Sequence, residues 1–436
     1  MDDARVIRPD RSQLRWDYID LEALLPSEHP ARIVWSFVES LDLAELYAAI
    51  KSREGVAGRP AADPAVLLAL WLFATVEGVG SARELDRLVE RDIAYRWIAG
   101  GVPLNYHGLA DFRIGHVAVL DRLLTESVTA LIKERLISLT EIAVDGTKVR
   151  AKASRESFKT DTQLMQIEAE ASERIAKLRA EIDHDPEASS RRRRAARERA
   201  ARDVQDRAAR ARKALDQIRA EKAERAKRHA KDEAKKSEAK ASLSDAEARN
   251  MRFPDGAVRP AYNAQIAAAP REGIIVSVEM TDRRNDSGLA APMIDDIVRR
   301  YDAVPQKLLV DTHYATADDI AALAVHPAGP VEVYAPVPTE REDVTPGTLR
   351  NRKSKRKREP QSVKDWRERM ASVAGKAVYN LRKLIERINA DRKNHGFGFI
   401  PVRGRIKAQG VALLHALAHN LFTAHRLRLE LKEESA

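Results

Sequence analysis

Four side chains near the C-terminal end recur at fixed gaps, Tyr379-x2-Arg382-x3-Glu386-x6-Lys393. Wound as one helix over residues 378–396 at about 100° per residue, they fall within roughly 60° of one another. Leu381, Leu384, Ile385 and Ile388 fall on the opposite side and would pack inward. The exposed stripe is a carboxylate flanked by two cations and a phenol. An ordinary solvated face with an Arg382–Glu386 pair four apart is the alternative. Two more carboxylates stand at strand ends. Asp145 follows Ile142–Val144 in Thr-Glu-Ile-Ala-Val-Asp-Gly-Thr-Lys-Val, and Asp311 follows Leu308–Val310 in Asp-Thr-His-Tyr. Asp-Gly is also a strong hairpin turn, and a strand-end Asp also caps loops. Carboxylates supply the hard oxygens that magnesium and manganese prefer. Two such ions about 4 Å apart can activate the attacking oxygen of a phosphodiester and steady the leaving one.

The elements that would position these groups can be read in chain order. Residues 1–138 are expected to be helical. Pro30 suits a first turn, Asp63-Pro64 caps a helix carrying Leu67, Leu68, Leu70 and Leu72, and Ser81-Ala-Arg-Glu84 is a capping box. Residues 105–136 are expected to contain one further long amphipathic helix. Both a helix-turn-helix for DNA and a packed bundle fit this segment. Residues 139–153 hold the first strand. Residues 154–245 carry two apolar stripes, Leu164 to Ile182 and Val204 to Ile218, separated by Asp183–Glu187. They predict a basic antiparallel helical hairpin whose Arg191–Arg194 run touches DNA, another protomer or only solvent.

Residues 246–338 predict strands at 262–268 and 273–280, a helix at 288–301, the 308–310 strand, a helix at 316–325 and a strand at 331–335. Residues 339–368 are a basic loop in which Arg350, Arg352 and Lys353 could settle on phosphate. Trp366 there either stacks on a base or anchors the loop. The last segment, 369–436, holds the Glu386 helix and a C-terminal helix with His415 and His419 four apart, read as structural.

The Tyr-Arg-Glu-Lys spacing, with Val144–Lys148, Pro260–Gln265 and Asp311–Tyr314, resembles bacterial insertion-sequence transposases of the DDE type. Gly58–Pro64 and Phe112-Arg113 resemble their N-terminal region, so the similarity runs from about Gly58 to His425. It implies an α/β ribonuclease-H-like core, a mixed five-stranded sheet with helices, joined to an all-helical N-terminal domain that binds DNA ends and to the inserted α-helical hairpin. The element order agrees. In that fold the first and fourth strands are neighbours, which would bring Asp145, Asp311 and Glu386 together as catalytic, metal-binding carboxylates for two Mg2+ ions, or Mn2+ in their place. Crowded carboxylates should rise in pKa without metal. Tyr379, Arg382 and Lys393 would contact the DNA backbone. Lys148 is a weaker DNA-contact candidate, because it lies three residues past Asp145 and points to the other face of a straight strand. Relatives commonly carry Gly where this chain has His313, which could alter the loop beside Asp311. The implied function is metal-dependent cleavage and strand transfer on double-stranded DNA, element ends and target, by a homodimer assembled with DNA. A nuclease that cuts without joining, and a catalytically silent DNA-binding protein, are the rivals.

Composition agrees with a polyanionic partner. The 436 residues carry a net charge of +10, and 33% are charged. There is no cysteine, which excludes disulfides and thiolate zinc sites and fits a reducing, nucleoid-containing cytoplasm. The near-apolar run 65–76 is too short to span a bilayer, so no membrane role is expected.

Overall fold

The computed structural model describes residues 20–52, 60–184, 188–228, 238–338 and 358–434. The N-terminal segment folds into α1 (Pro30–Glu39), α2 (Ala44–Ala48), α3 (Pro64–Val76), α4 (Ala82–Arg91), α5 (Ile93–Ala99), α6 (Tyr106–Gly115) and α7 (Val117–Lys133). Both α1 and α3 start on proline, whose missing N–H is not needed in a first turn. Asp63 Oδ1 accepts from Ala65 N at 2.8 Å at the head of α3, and Ser81 Oγ accepts from Glu84 N at the head of α4. The long helix expected within 105–136 is α7, and the shorter α6 precedes it. The chain breaks at His116, whose φ of −122° and ψ of 34° are not helical, while His116 O still caps α7 by accepting from Leu120 N.

Among the described residues, eight strands follow: β1 (Glu141–Arg150), β2 (Phe158–Lys159), β3 (Ala241–Ser242), β4 (Arg249–Arg252), β5 (Val258–Ala269), β6 (Ile274–Thr281), β7 (Lys307–Leu309) and β8 (Glu332–Tyr334). Six form one mixed sheet, in the order β4-β5-β1-β7-β8 with β6 also on β5. β1 runs antiparallel to β5 and parallel to β7, and β7 parallel to β8. β4 and β6 share one edge of β5, at Val258–Ala261 and Asn263–Ala269. The sheet is therefore five strands wide, but it contains six strands where five were expected. β4 is the addition. Two crossover helices, α10 (Ala290–Tyr301) and α11 (Ala317–Ala324), connect β6 to β7 and β7 to β8. This arrangement is compatible with a ribonuclease-H-like core.

The insertion between β1 and β4 is dominated by α8 (Asp161–His184) and α9 (Ala188–Arg228). They are antiparallel, since Arg179 pairs with Glu198, Gln205 with Ser172, Arg212 with Glu168, and Arg219 with Asp161. Near the root of the hairpin, Leu164, Ala211, Leu215 and Ile218 bury a small separate core against Ala241 of β3. The side chains of Arg191, Arg192 and Arg194 lie outside the described residues, as do Arg350, Arg352 and Lys353.

Among the described residues, four helices complete the fold: α12 (Gln361–Ala371), α13 (Val373–Asn380), α14 (Lys383–Arg392) and α15 (Arg405–Glu434). α12 occupies part of the stretch expected to be loop. Its Trp366 is buried and donates from Nε1 to Ala335 O at 3.1 Å, so it anchors the chain to the end of β8. α15 lies along β6. Gln409 there accepts from Met280 N and donates to Val278 O, and Asn420 does the same to Ile275 N and O. Because α15 also packs on α1, α3, α6 and α7, the N-terminal helices and the sheet share one continuous apolar core. No described helix is long and apolar enough to cross a membrane.

Candidate carboxylate site

Parallel pairing of β1 with β7 sets Ala143 opposite Leu309. Two residues on, Asp145 faces the same side of β1 as Ala143, and Asp311 follows two residues past Leu309, beyond the end of β7, near enough for its charge to act on Asp145. α14 packs against β1 from this side. At its N-terminal boundary, Arg382 reaches two carboxylates at once: Nη2 donates to Asp145 Oδ1 at 2.7 Å and Nη1 to Glu386 Oε1 at 2.5 Å. From the next turn of α14, Asn389 Nδ2 donates to Asp145 Oδ2 at 2.7 Å. Burial raises the Asp145 pKa, the guanidinium of Arg382 and the amide of Asn389 oppose the rise, and the charge of Asp311 adds to it.

The basic and phenolic members of the motif border the same spot. Tyr379 is half-buried and its phenol pKa is raised by burial, an effect opposed by Arg382. Lys393 leaves much of its side chain in solvent, yet desolvation of its ammonium lowers its pKa while Asp145 pulls it upward. Asp311 is held by its own loop: Oδ1 accepts from His313 N at 2.8 Å and Tyr314 N at 3.3 Å. The His313 side chain is exposed, and its backbone N–H orients the Asp311 carboxylate. Tyr314 is buried, and its hydroxyl donates to Gln265 Oε1 on β5.

Residues 215–421 match the family model described as the transposase DDE domain, and residues 19–114 match the transposase domain DUF772. Together these matches support an insertion-sequence transposase of the DDE type. The DDE-domain match includes Asp311 and Glu386 and begins after Asp145. Searches of curated proteins and of solved structures found no match.

DDE transposases normally use divalent metals, and the donors here suit such an ion in kind. Asp145 and Glu386 already share one cation, the Arg382 guanidinium, and Asn389 Oδ1 is buried with no protein partner. Among the described residues, however, no three Asp, Glu or His side chains gather as a ready-made cluster. In this structure Asp145 and Glu386 meet at Arg382, while Asp311 is held by its own loop. When bound, divalent ions would supply Lewis acidity at the carboxylates of Asp145, Asp311 and Glu386.

The expected continuous helix over 378–396 is broken twice. Between α13 and α14 the backbone tightens to three-residue spacing, with Leu381 N donating to Val378 O and Arg382 N to Tyr379 O. After α14, a wider turn, Lys393–Phe397, ends at Gly396 with φ +89°. Lys148 stays away from the carboxylates, and its Nζ donates to Arg252 O on β4 at 2.7 Å. Asn389 escaped the reading of the sequence although it lies three residues past Glu386, on the same side of the helix. A polar residue there, inside an otherwise apolar or charged pattern, was the available signal. Asn263, Gln265 and Asp286 also went unmarked. Asp286 Oδ1 accepts from Asn263 Nδ2 at 2.7 Å and Gln265 Nε2 at 2.9 Å, beneath Gly146 on the opposite face of the sheet.

Proposed function

We propose that this protein is the transposase of an insertion sequence, which binds the ends of its element and cleaves and joins DNA using divalent ions held by Asp145, Asp311 and Glu386. The observation that carries this reading is the bridge of Arg382 between Asp145 and Glu386, with the charge of Asp311 acting on Asp145. Two acidic groups, from β1 and α14, thus meet one cation, and Asp311 at the end of β7 adds its charge nearby, in a chain with a net charge of +10. Arg382, Tyr379 and Lys393 would hold the scissile strand by its phosphates, contacts that position DNA without reading its sequence. Water would cut at the element's ends, and the freed 3′-hydroxyl would then attack the target. Two copies acting together on two ends complete the proposal.

The test uses DNA carrying the terminal repeats that flank the gene. Asp311→Ala should reduce metal-dependent cleavage at least about a thousandfold, within the range by which positioned metal and charge accelerate such steps, and leave DNA affinity within about threefold of the unaltered protein. Cleavage that persists in this variant defeats the site assignment. Cleavage by the unaltered protein without joined product makes it a nuclease only.

A further inference from the structure

Both carboxylate oxygens of Asp145 are engaged, Oδ1 by Arg382 and Oδ2 by Asn389, each at 2.7 Å. A divalent ion bound by Asp145 needs at least one of them. The two donors differ in kind. Arg382 brings a full positive charge and spreads it over Asp145 and Glu386, which is the electrostatic service an ion would perform. An ion and a guanidinium against the same oxygen would repel each other and compete for the same lone pairs. Asn389 is neutral and 5% exposed, and it comes from inside α14. Arg382 comes from the tightened joint between α13 and α14, where a small backbone adjustment can move one side chain without displacing the helix that carries Glu386.

We propose that Arg382 is an exchangeable internal counter-ion, displaced from Asp145 when a divalent ion arrives, and that Asn389 is the positioning residue that keeps Asp145 oriented through the exchange. The released guanidinium then has its fork of donors free for a phosphate beside Tyr379. Metal loading and DNA gripping become linked through one side chain: the ion frees the group that holds the strand. This rests on the reading of Asp145 as an ion ligand.

The experiment is Mn2+ binding to the full-length protein without DNA, followed by electron paramagnetic resonance of the free ion. Arg382→Gln should bind Mn2+ about tenfold more tightly than the unaltered protein, as when a competing state that occupies about nine-tenths of molecules is removed. Its melting temperature should be lower without metal and rise further on adding it. Asn389→Ala should bind about tenfold more weakly, a typical cost of losing an orienting partner behind a metal ligand, and Asn389→Asp should not restore the donor. Asp145→Asn should lose the site. Undiminished binding in Asp145→Asn refutes the underlying site, and the exchange with it. Lost binding in Asp145→Asn, with Arg382→Gln no tighter than the unaltered protein, refutes the exchange alone. Unchanged affinity in Asn389→Ala refutes the positioning role. Should Arg382→Gln fail to fold, Arg382→Lys keeps a charge but cannot span both carboxylates. Intermediate affinity supports the exchange, and affinity equal to or below that of the unaltered protein overturns it.

Discussion

Gly146 sits beside Asp145 at a position where a methyl group has nowhere to go. A Cβ there would overlap Asp286 Oδ1 and lie 2.7 Å from Gln265 Nε2, and both groups are pinned by hydrogen bonds, to each other and to Asn263 and Tyr314. Gly146→Ala should therefore cost about 1–3 kcal/mol, the usual penalty for overfilling a packed site. Adding Asp286→Ala should recover part of that loss, so that the pair is strongly non-additive in urea unfolding. Strictly additive costs would show that the clash is relieved elsewhere. The residue scale is also where the sequence was least transparent. The Tyr379, Arg382, Glu386 and Lys393 gaps lie on one short segment, and local periodicity exposes them. One partner of Arg382, Asp145, is 237 positions away, and Asp286 meets the amides of Asn263 and Gln265 only because its loop folds back onto β5. Neither is encoded in any window of neighbouring residues.

Elements were more legible, because caps and alternating patterns act locally. Pro64 after Asp63, and Ser81 before Glu84, mark helix starts that the structure places at those residues. The joint at Leu381–Arg382 was hidden, since nothing in Asn-Leu-Arg-Lys disfavours a helix and tertiary bonds to Asp145 decide the matter. α15 shows a similar hidden constraint. His415 is buried against Phe397, and burial together with nearby Arg392 lowers its pKa to about 3. His419 donates from Nε2 to Gly273 O, and its pKa falls to about 4, mainly through burial. Both rings are neutral in the fold, while the unfolded chain takes up protons near the ordinary value of about 6.5. Stability is therefore complete above that pH and is lost as pH falls toward 4 and then 3. Between pH 6.5 and 5, His415 alone should remove up to about 2 kcal/mol. Thermal melts across this range should show the loss, and His415→Phe should flatten it. An unchanged slope would mean that His415 is not the group responsible.

At the scale of the molecule, α15 joins what the sequence suggested as separate regions. It packs on α1, α3, α6 and α7 on one side and on β6 on the other, and the buried apolar residues form one connected set. The helical N-terminus and the sheet should accordingly unfold in one calorimetric transition, with the calorimetric enthalpy equal to the van't Hoff value. Two resolved transitions would show that the shared core does not couple them. The hairpin of α8 and α9 holds its own small core and is the part expected to loosen first. The outer side of β6 has a different consequence. Gln409 and Asn420 imitate a neighbouring strand by satisfying its amides and carbonyls, and α11, α12 and α13 cover β8 at the far end. Among the described residues, β6 and β8 thus meet helices of their own chain rather than a further strand. A second copy, in the proposed pair on DNA, would find the outer edge of β6 already taken by Gln409 and Asn420.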